Sequence, residues 1–475
     1  MPTNPGNTVI DPKFPKYVYA SKPLVPVYSK VKKGEQRATL FIGEWMKILD
    51  DPVPKRGRVH VRYRGGKGYV SCNDYTYSRM LEVFFIDVDQ GDSILIQTPD
   101  DRRILIDGGE SDDAHTFIRD KYNLYEKENY IDFEAMIATH SDADHTSGLI
   151  KILKDPKIAV KRFYHNGLFR RTVEASDPGP VIGNRIFSLV DRPGINAAPP
   201  LSYLMRRLVK AVEQARTNMP KVIGKMKAQE RWKGRIDAPP GGFVFARLDA
   251  SDRYLPPYDD KNSYLTVEVL WPAARKVNGR LSYSKYGDAG KTVNGNSIVL
   301  CLKHKKKRIL LTGDLNEKAM DDILKRYGSG GKNPSKRLRA DVYKAAHHGS
   351  QHFSVPFLKA VKPNAAVVSS GDNRYDKHGH PRAILMGTIT RYSRKSKPAV
   401  FSTELAACFR RIPMSKKKRR AFMEGRSQIY EKAIMGIVHL RSDGKNLYLG
   451  TVHGRKPPEK RFKNIRWKWD IWPEI

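Results

Sequence analysis

Four side chains of the kind that bind divalent metals fall within six residues, at His140-Ser141-Asp142-Ala143-Asp144-His145, directly after the apolar run Phe133–Thr139. A catalytic metal site needs imidazole and carboxylate donors and an open coordination position. On a helix Asp142 would face away from two of the others. On a loop leaving a strand all four can turn inward, so the pattern predicts a strand that ends in a ligand loop. The layout recurs twice: Arg308–Thr312 is followed by Gly313-Asp314, and Asp341–Ala346 by His347-His348-Gly349-Ser350. Each apolar strand delivers candidate ligands at its C-terminal end, where α/β folds place their sites. Asp314 also fits a helix N-cap for the segment that begins at Asn316.

The surrounding rhythm is that of a layered α/β domain. Strands are predicted over Leu81–Val88, Ser93–Gln97, Arg103–Asp107, Tyr264–Trp271 and Ser297–Leu302, and helices over Ala114–Tyr122 and from Gly148 to Lys154. Residues 79–400 form this main domain. About residues 170–262 interrupt it and read as an insertion, helical over Leu201–Lys227. Residues 1–27 carry Pro2, Pro5, Pro12, Pro15, Pro23 and Pro26 and read as a proline-rich leader. Residues 28–78 alternate short β-type runs with turns and read as a small all-β barrel. Within it Gly43-Glu44-Trp45-Met46-Lys47-Ile48 and Gly68-Tyr69-Val70 resemble bacterial SH3-like domains, a likeness that would offer a surface for protein partners; a β-meander packed on the main domain fits the same residues. Residues 401–475 form a basic C-terminal extension, with a final hairpin of Gly436–Arg441 and Asn446–His453 around Asp443-Gly444.

Taken together, Thr139–Leu149, Gly313-Asp314-Leu315 and Ala346-His347-His348-Gly349-Ser350 resemble the metallo-β-lactamase fold, and most closely the soluble hydrolase domain of bacterial competence proteins that handle incoming DNA. Asp87-Val88-Asp89-Gln90-Gly91-Asp92-Ser93, Leu105-Ile106-Asp107-Gly108-Gly109, Asn296-Ser297-Ile298-Val299-Leu300 and Gly379-His380-Pro381 follow in the order of that family. The resemblance implies a four-layer αββα sandwich, two stacked sheets with helices outside, and a dinuclear centre at one edge. By that likeness His140 and Asp142 hold one metal, Asp144, His145 and His347 hold the other, and Asp314 bridges them. A dinuclear metal-activated hydroxide would attack, with Asp144 among the catalytic residues, and His348 and His380 would protonate the leaving oxygen or bind phosphate. Asp107 and Asn296 would brace the ligands. Asp142 stands where many members carry histidine, and the histidine before the strand leading to the bridging aspartate is missing. His165 is a candidate replacement; a hydrogen-bonded histidine at a strand end is the other reading. Fewer nitrogen ligands favour harder ions, so manganese and magnesium compete with zinc.

Charge selects among substrates. Lys and Arg number 87 against 50 Asp and Glu, a net of +37. A β-lactam or thioester needs no such field, whereas a nucleic-acid polyanion does, because Lys and Arg replace its condensed counterions. Lys305, Lys306, Lys307 and Arg308 form a basic hairpin before the Asp314 loop and are candidate nucleic-acid contacts. Trp467, Trp469 and Trp472, set among Lys and Arg, fit base stacking or docking onto the core. The expectation is a nuclease acting on DNA or RNA; the alternatives are a phosphodiesterase of nucleotides or phospholipid head groups, and a non-catalytic nucleic-acid-binding protein. Three scattered cysteines, a polar Met1–Lys16 without secretory character and no run of ~18 apolar residues point to the cytoplasm and to no transmembrane segment.

Overall fold

The computed structural model describes residues 17–471 apart from 33, 50–55, 64–65, 173–177, 188, 195–199, 230–236, 262–263, 329–335, 372–378, 397, 405–407, 412–414, 416, 418–429 and 456–467. Seven short strands near the N-terminus form one antiparallel sheet, in the order Gln36–Phe41, Leu24–Tyr28, Gly66–Ser71, Arg58–Tyr63, Trp45–Ile48, Tyr17–Ala20 and Tyr75–Thr76. Their side chains alternate between buried and open positions, as in Arg58–Tyr63 and Leu24–Tyr28, and the buried set (Val18, Val25, Val27, Met46, Val59, Val61, Val70) makes a small core of its own. Tyr17–Ala20 and all of Leu24–Tyr28 but its last residue lie inside the stretch 1–27 expected to be a leader. Pro26 is accommodated because its strand pairs along its length with Gln36–Phe41 and touches its other neighbour only at Tyr28, so the missing N–H costs no ladder bond there.

Beside a two-stranded sheet (Ile131–Phe133, Ile158–Val160) and a four-stranded one (Val181–Ile182, Arg185–Ile186, Arg280–Ser284, Arg275–Val277), a ten-stranded and a six-stranded sheet carry most of the rest. In the larger, the order runs Val244–Arg247, Arg162–His165, Ala135–Ala138, Arg103–Ile106, Ile94–Gln97, Leu81–Ile86, Tyr430–Ser442, Leu447–Arg455 and Lys468–Ile471, with Cys408–Arg411 added to Tyr430–Ser442. The smaller runs Thr266–Trp271, Val299–His304, Lys307–Leu311, Val342–Lys344, Ala365–Val368 and Ala399–Ser402. The helices are α1 (Asp113–Lys121), α2 (Ala143–Lys154), α3 (Tyr203–Lys227), α4 (Ala289–Gly295), α5 (Glu317–Gly328), α6 (Val355–Val361) and α7 (Ala383–Arg391). Period-2 alternation sorts each strand between two cores. Val83, Phe85, Ile96, Ile104 and Ile137 meet Val267, Leu300, Ile309, Val342 and Val367 of the other sheet. Phe84, Ile86, Leu105 and Met136 turn outward to α1, α2 and α3, while Cys301, Leu310, Tyr343 and Ala366 turn to α5, α6 and α7. Strands buried on both faces read as continuous apolar runs, which is why they were legible.

Two expected boundaries are corrected. Within 170–262, α3 packs Met205, Leu208, Val209 and Val212 into the same core as α1 and α2, and Val244–Arg247 pairs in parallel with Arg162–His165. The segment is a long β-α-β connection of the main sheet. Likewise 401–475 is no appendage: Tyr430–Ser442 pairs antiparallel with Leu81–Ile86 over six residues, from Ile437↔Ile86 to Ser442↔Leu81. The first of these segments is rich in Lys and Arg because α3 shows one face to solvent. Trp467, Trp472 and, apart from Lys417, the basic run 416–420 lie outside the described residues; Trp469 pairs with Val452 in the large sheet.

Candidate metal centre

The parallel strands of both sheets end at one edge. Arg103–Ile106 leads into Asp107, Ala135–Ala138 into Thr139-His140, Lys307–Leu311 into Gly313-Asp314, and Val342–Lys344 into His347-His348. Asp107 organises the first loop. Its Oδ1 accepts from the Thr139 backbone N–H at 2.8 Å, and its Oδ2 accepts from Thr139 Oγ1 at 2.7 Å and His145 Nδ1 at 2.8 Å. Donation by Nδ1 fixes the tautomer of His145 and leaves Nε2 as the free lone pair. Asp142 caps α2 in position but not by side-chain bonding; its Oδ1 instead accepts from Arg170 Nε and Nη2 at 2.9 and 2.7 Å.

Close backbone packing holds the loop down. A Cβ on Gly148 would lie 2.0 Å from the Gly108 carbonyl oxygen, and only without it can Gly108 N–H reach the His145 carbonyl at 2.8 Å and Gly148 N–H the Gly109 carbonyl at 2.9 Å. Asp107, His347 and His348 all have left-handed backbones, with φ of 57°, 49° and 51°. Asp and His tolerate that region better than most residues, yet each costs of order 1–3 kcal/mol. Three such residues in one site mark it as a place where backbone comfort yields to side-chain placement.

The side chains converge. His348 Nε2 lies 3.2 Å from Asp144 Oδ2, 3.2 Å from Asp314 Oδ2 and 3.4 Å from His145 Nε2. His145 Nε2 lies 3.3 Å from Asp314 Oδ1. Asp92, His145, Asp314 and His348 place one donor atom each within 4.8 Å of one another, all four buried. His140 Nε2 sits 3.8 Å from Asp142 Oδ2, and its ring centroid is 4.1 Å from that of His145. His347 Nε2 is 3.8 Å from Asp314 Oδ2, and its ring lies 5.7 Å from that of His380. His140 Nε2 and Asp314 Oδ1 are buried without a hydrogen-bond partner. Buried acceptors are rarely left so, and ligands ~2.0–2.2 Å from a shared ion stand at separations like those seen here. The donor set therefore fits divalent metal.

Electrostatics tie the knot together. Burial alone would lower the pKa of His145, but Asp314, Asp107 and Asp144 hold it well above the ordinary histidine value. Burial opposes the same shift in His348, where Asp314 and Asp144 raise it to about 10. Burial would raise Asp314, yet His348, His145 and His347 keep it well below the carboxylate range; Asp144 is lowered by His145 and His348 against its own burial. Burial pushes His140 and His347 below the usual value.

Other expected residues fall elsewhere. His165 accepts from Gly167 N–H at Nδ1 and donates from Nε2 to the Asp191 carbonyl at 3.2 Å, so both nitrogens are engaged away from the cluster; burial takes its pKa to about 3. Asn296 is corrected too: its amide donates to the carbonyls of Ser284 and Thr292 and closes α4. The neighbouring Ser297 reaches the centre instead, with Oγ 3.3 Å from His140 Nδ1 and accepting from the Asp314 N–H at 3.2 Å. The hairpin tip Lys305–Arg308 sits at the N-terminal end of its strand, on the order of 15 Å from Asp314 by strand rise. There Lys306 N–H donates to the Gly444 carbonyl, and Arg308 donates to the carbonyls of Arg337 and Arg339. Missed by pattern reading were Arg170, Ser297 and the pair Asp92–Lys344, whose ammonium and carboxylate bond directly with almost no exposure. A lysine inside an apolar strand was the available signal for that pair.

Residues 86–210 match the family described as the metallo-beta-lactamase superfamily. ComE operon protein 3 of Bacillus subtilis (strain 168) is 28% identical over 101 residues, which cover 21% of this chain and 12% of that protein's length. Among solved structures, the structure of NlpC2 from Trichomonas vaginalis is 14% identical over 19% of this chain and 37% of that one, with a TM-score of 0.12, too low to bear on the fold. No helix among the described residues is long and apolar enough to cross a membrane. The segment that supplies Asp107, His140, Asp142, Asp144 and His145 lies within that match, and the chain carries a metallo-β-lactamase superfamily domain.

Proposed function

We propose that this chain is a metal-dependent phosphodiester hydrolase that cleaves DNA. The observation that carries the reading is the knot of Asp144 with the buried His145, Asp314 and His348, whose facing nitrogen and oxygen atoms stand 3.2–3.8 Å apart at the strand ends. His140 and Asp142 would hold one ion, Asp144, His145 and His348 a second, with Asp314 shared between them. This exchanges the roles expected of the histidine pair. His348 is fully buried and donates from Nδ1 to the Ser369 carbonyl at 3.1 Å, which leaves Nε2 for a metal. His347 is 29% exposed and its ring lies 5.7 Å from that of His380, so these two are the residues to hold phosphate oxygen or pass a proton to the leaving group.

Divalent ions in this site, zinc or manganese with magnesium as a third option, would supply Lewis acidity and acidify the attacking water. The protein's own part is positional. Asp107 holds the His145 ring, Arg170 holds one oxygen of Asp142 and leaves the other facing His140, and Lys344 balances Asp92 beneath His348. The two sheets with their outer helices are read as the four-layer αββα arrangement. A net charge of +37 supports a polyanionic substrate, as does the resemblance of the motifs to hydrolase domains that handle DNA.

The test is incubation of linear and circular DNA with the chain and manganese, magnesium or zinc, beside an Asp144→Ala/His145→Ala variant. Metal-dependent cleavage absent from the variant is expected. Hydrolysis of a small aryl phosphodiester without any cleavage of DNA would overturn the substrate, and turnover of neither would overturn the enzyme.

A further inference from the structure

Helix α3 has a face that the metal centre does not use. Its apolar side, including Met205, Leu208, Val212, Met219 and Met226, is buried. The opposite side is open to solvent and carries Arg206, Arg207, Lys210, Lys221 and Lys225 at helical spacing. Over its 25 residues the helix has seven Lys and Arg against one acid, Glu213, a net of +6. Glu213 is already engaged by Arg192 at 3.6 Å and Arg216 at 3.5 Å. Among the described residues no carboxylate pairs with Arg206, Arg207, Lys210 or Lys221. At ~1.5 Å per residue the stripe from Arg206 to Lys225 is roughly 28 Å long.

The stripe begins beside the candidate centre. Ser202, which caps α3, donates its backbone N–H to the Arg170 carbonyl at 2.9 Å, and the Arg170 side chain holds Asp142 at 2.7 Å. A linear polyanion on the helix therefore reaches the ligand loop at the helix's N-terminal end.

We propose that the outer face of α3 is a docking rail for the phosphate backbone of a DNA duplex, which it leads toward the ligand loop. Its length matches most of a duplex turn, about 34–36 Å. An anionic membrane fits less well, because a helix lying in a lipid interface needs an apolar face for the acyl region and that of α3 is spent inside the protein. Single strands fit less well, because they are held by stacking on aromatic rings and this face offers Tyr203. Docking stands independently of turnover; delivery to the centre rests on the phosphodiesterase reading above.

The experiment uses the full chain with EDTA, so that binding is read without cleavage, and a duplex of about 20 base pairs titrated from about 50 to about 200 mM salt. Each lost phosphate contact flattens the plot of log affinity against log salt by ~0.9. Arg206→Gln, Arg207→Gln, Lys210→Gln, Lys221→Gln and Lys225→Gln together are expected to flatten it by about 3–4.5 and to weaken binding at least roughly tenfold at the upper salt. The pair Arg206→Gln/Lys210→Gln, with its milder change, is expected to flatten it by about 2, while Arg206→Lys/Lys210→Arg keeps the parent slope. Hydrolysis of a small aryl phosphodiester stays at the parent rate in all of them. Parent-like slope and affinity in both Gln variants would overturn the rail, as would a parent that binds anionic vesicles and no duplex. A flattened slope in a chain that hydrolyses no diester would keep the rail and sink the hydrolase reading instead.

Discussion

Lys344 is the residue whose loss should be felt most for its size. It is fully buried at the end of Val342–Lys344, its ammonium is bonded to the equally buried Asp92, and it lies 3.4 Å from the Gly313 carbonyl. Lys344→Met keeps the stem and the volume but removes the charge. Asp92 is then left buried near Asp314 without its bonded ammonium, with the His348 ring, 3.6 Å away, as its remaining positive neighbour. Removing one partner of such a pair costs about 3–5 kcal/mol. Against a whole-domain stability of about 5–15 kcal/mol that is a large share. At ~2 °C per kcal/mol for a large domain, the melting point of the chelated protein, followed by circular dichroism, should fall by roughly 6–10 °C. Asp92→Leu added to Lys344→Met should recover most of the loss, since replacing a buried pair by apolar groups is often neutral. A single variant that melts within about 1 °C of the parent, or a double variant no better than the single, would refute the reasoning.

Other consequences follow from the same geometry. Asp107→Asn removes the acceptor that fixes the His145 tautomer and should weaken metal affinity about 10–100-fold, measured by competition with a chromophoric chelator. His348→Ala should empty the metal site as judged by bound metal per chain, whereas His347→Ala should keep the metal and lose turnover; the opposite pattern would restore the expected roles. Gly148→Ala drives a methyl into the Gly108 carbonyl, so α2 must shift; loss of soluble folded protein or of metal binding is expected, and a parent-like variant would contradict the close approach. The metal-free protein should be most stable near pH 6.5. Below that, His165 and His439, held to about 3, and His304, held to about 4, are all neutral by burial, so the unfolded chain binds protons first and stability falls as pH drops. Above it, His348, raised to about 10, keeps a proton that the unfolded chain has lost, so stability falls as pH rises through that window. Metal should abolish the alkaline limb, because its ligand imidazoles are already deprotonated; a metal-free melting point flat from pH 5 to 9 would count against this.

Local pattern determined a good deal by itself. Period-2 apolar runs ended by His and Asp set out the strands, because strand burial depends on residues a few positions apart, but Asp144 and His145 lie in the first turn of α2 and not on the loop expected of them. The net charge of +37 is also read from the sequence alone, because it sums over residues wherever they lie, and it supports the proposed polyanionic substrate. Tertiary structure decided what depends on distance through space. Basic, proline-rich or polar stretches looked peripheral, yet Leu24–Tyr28 joins a sheet, α3 closes a core, and Tyr430–Ser442 lies beside Leu81–Ile86. A strand or helix with one wet face carries the composition of a surface, and only pairing reveals which neighbour covers the other. Of adjacent His347 and His348, sequence spacing cannot say which is buried; the left-handed backbone at both turns them apart and sends His348 inward onto Asp144 and Asp314. Ser297 rather than Asn296 meets His140, and Lys344 meets Asp92 across 252 positions of chain, because one residue's rotation along a strand or loop exchanges the side that faces the centre.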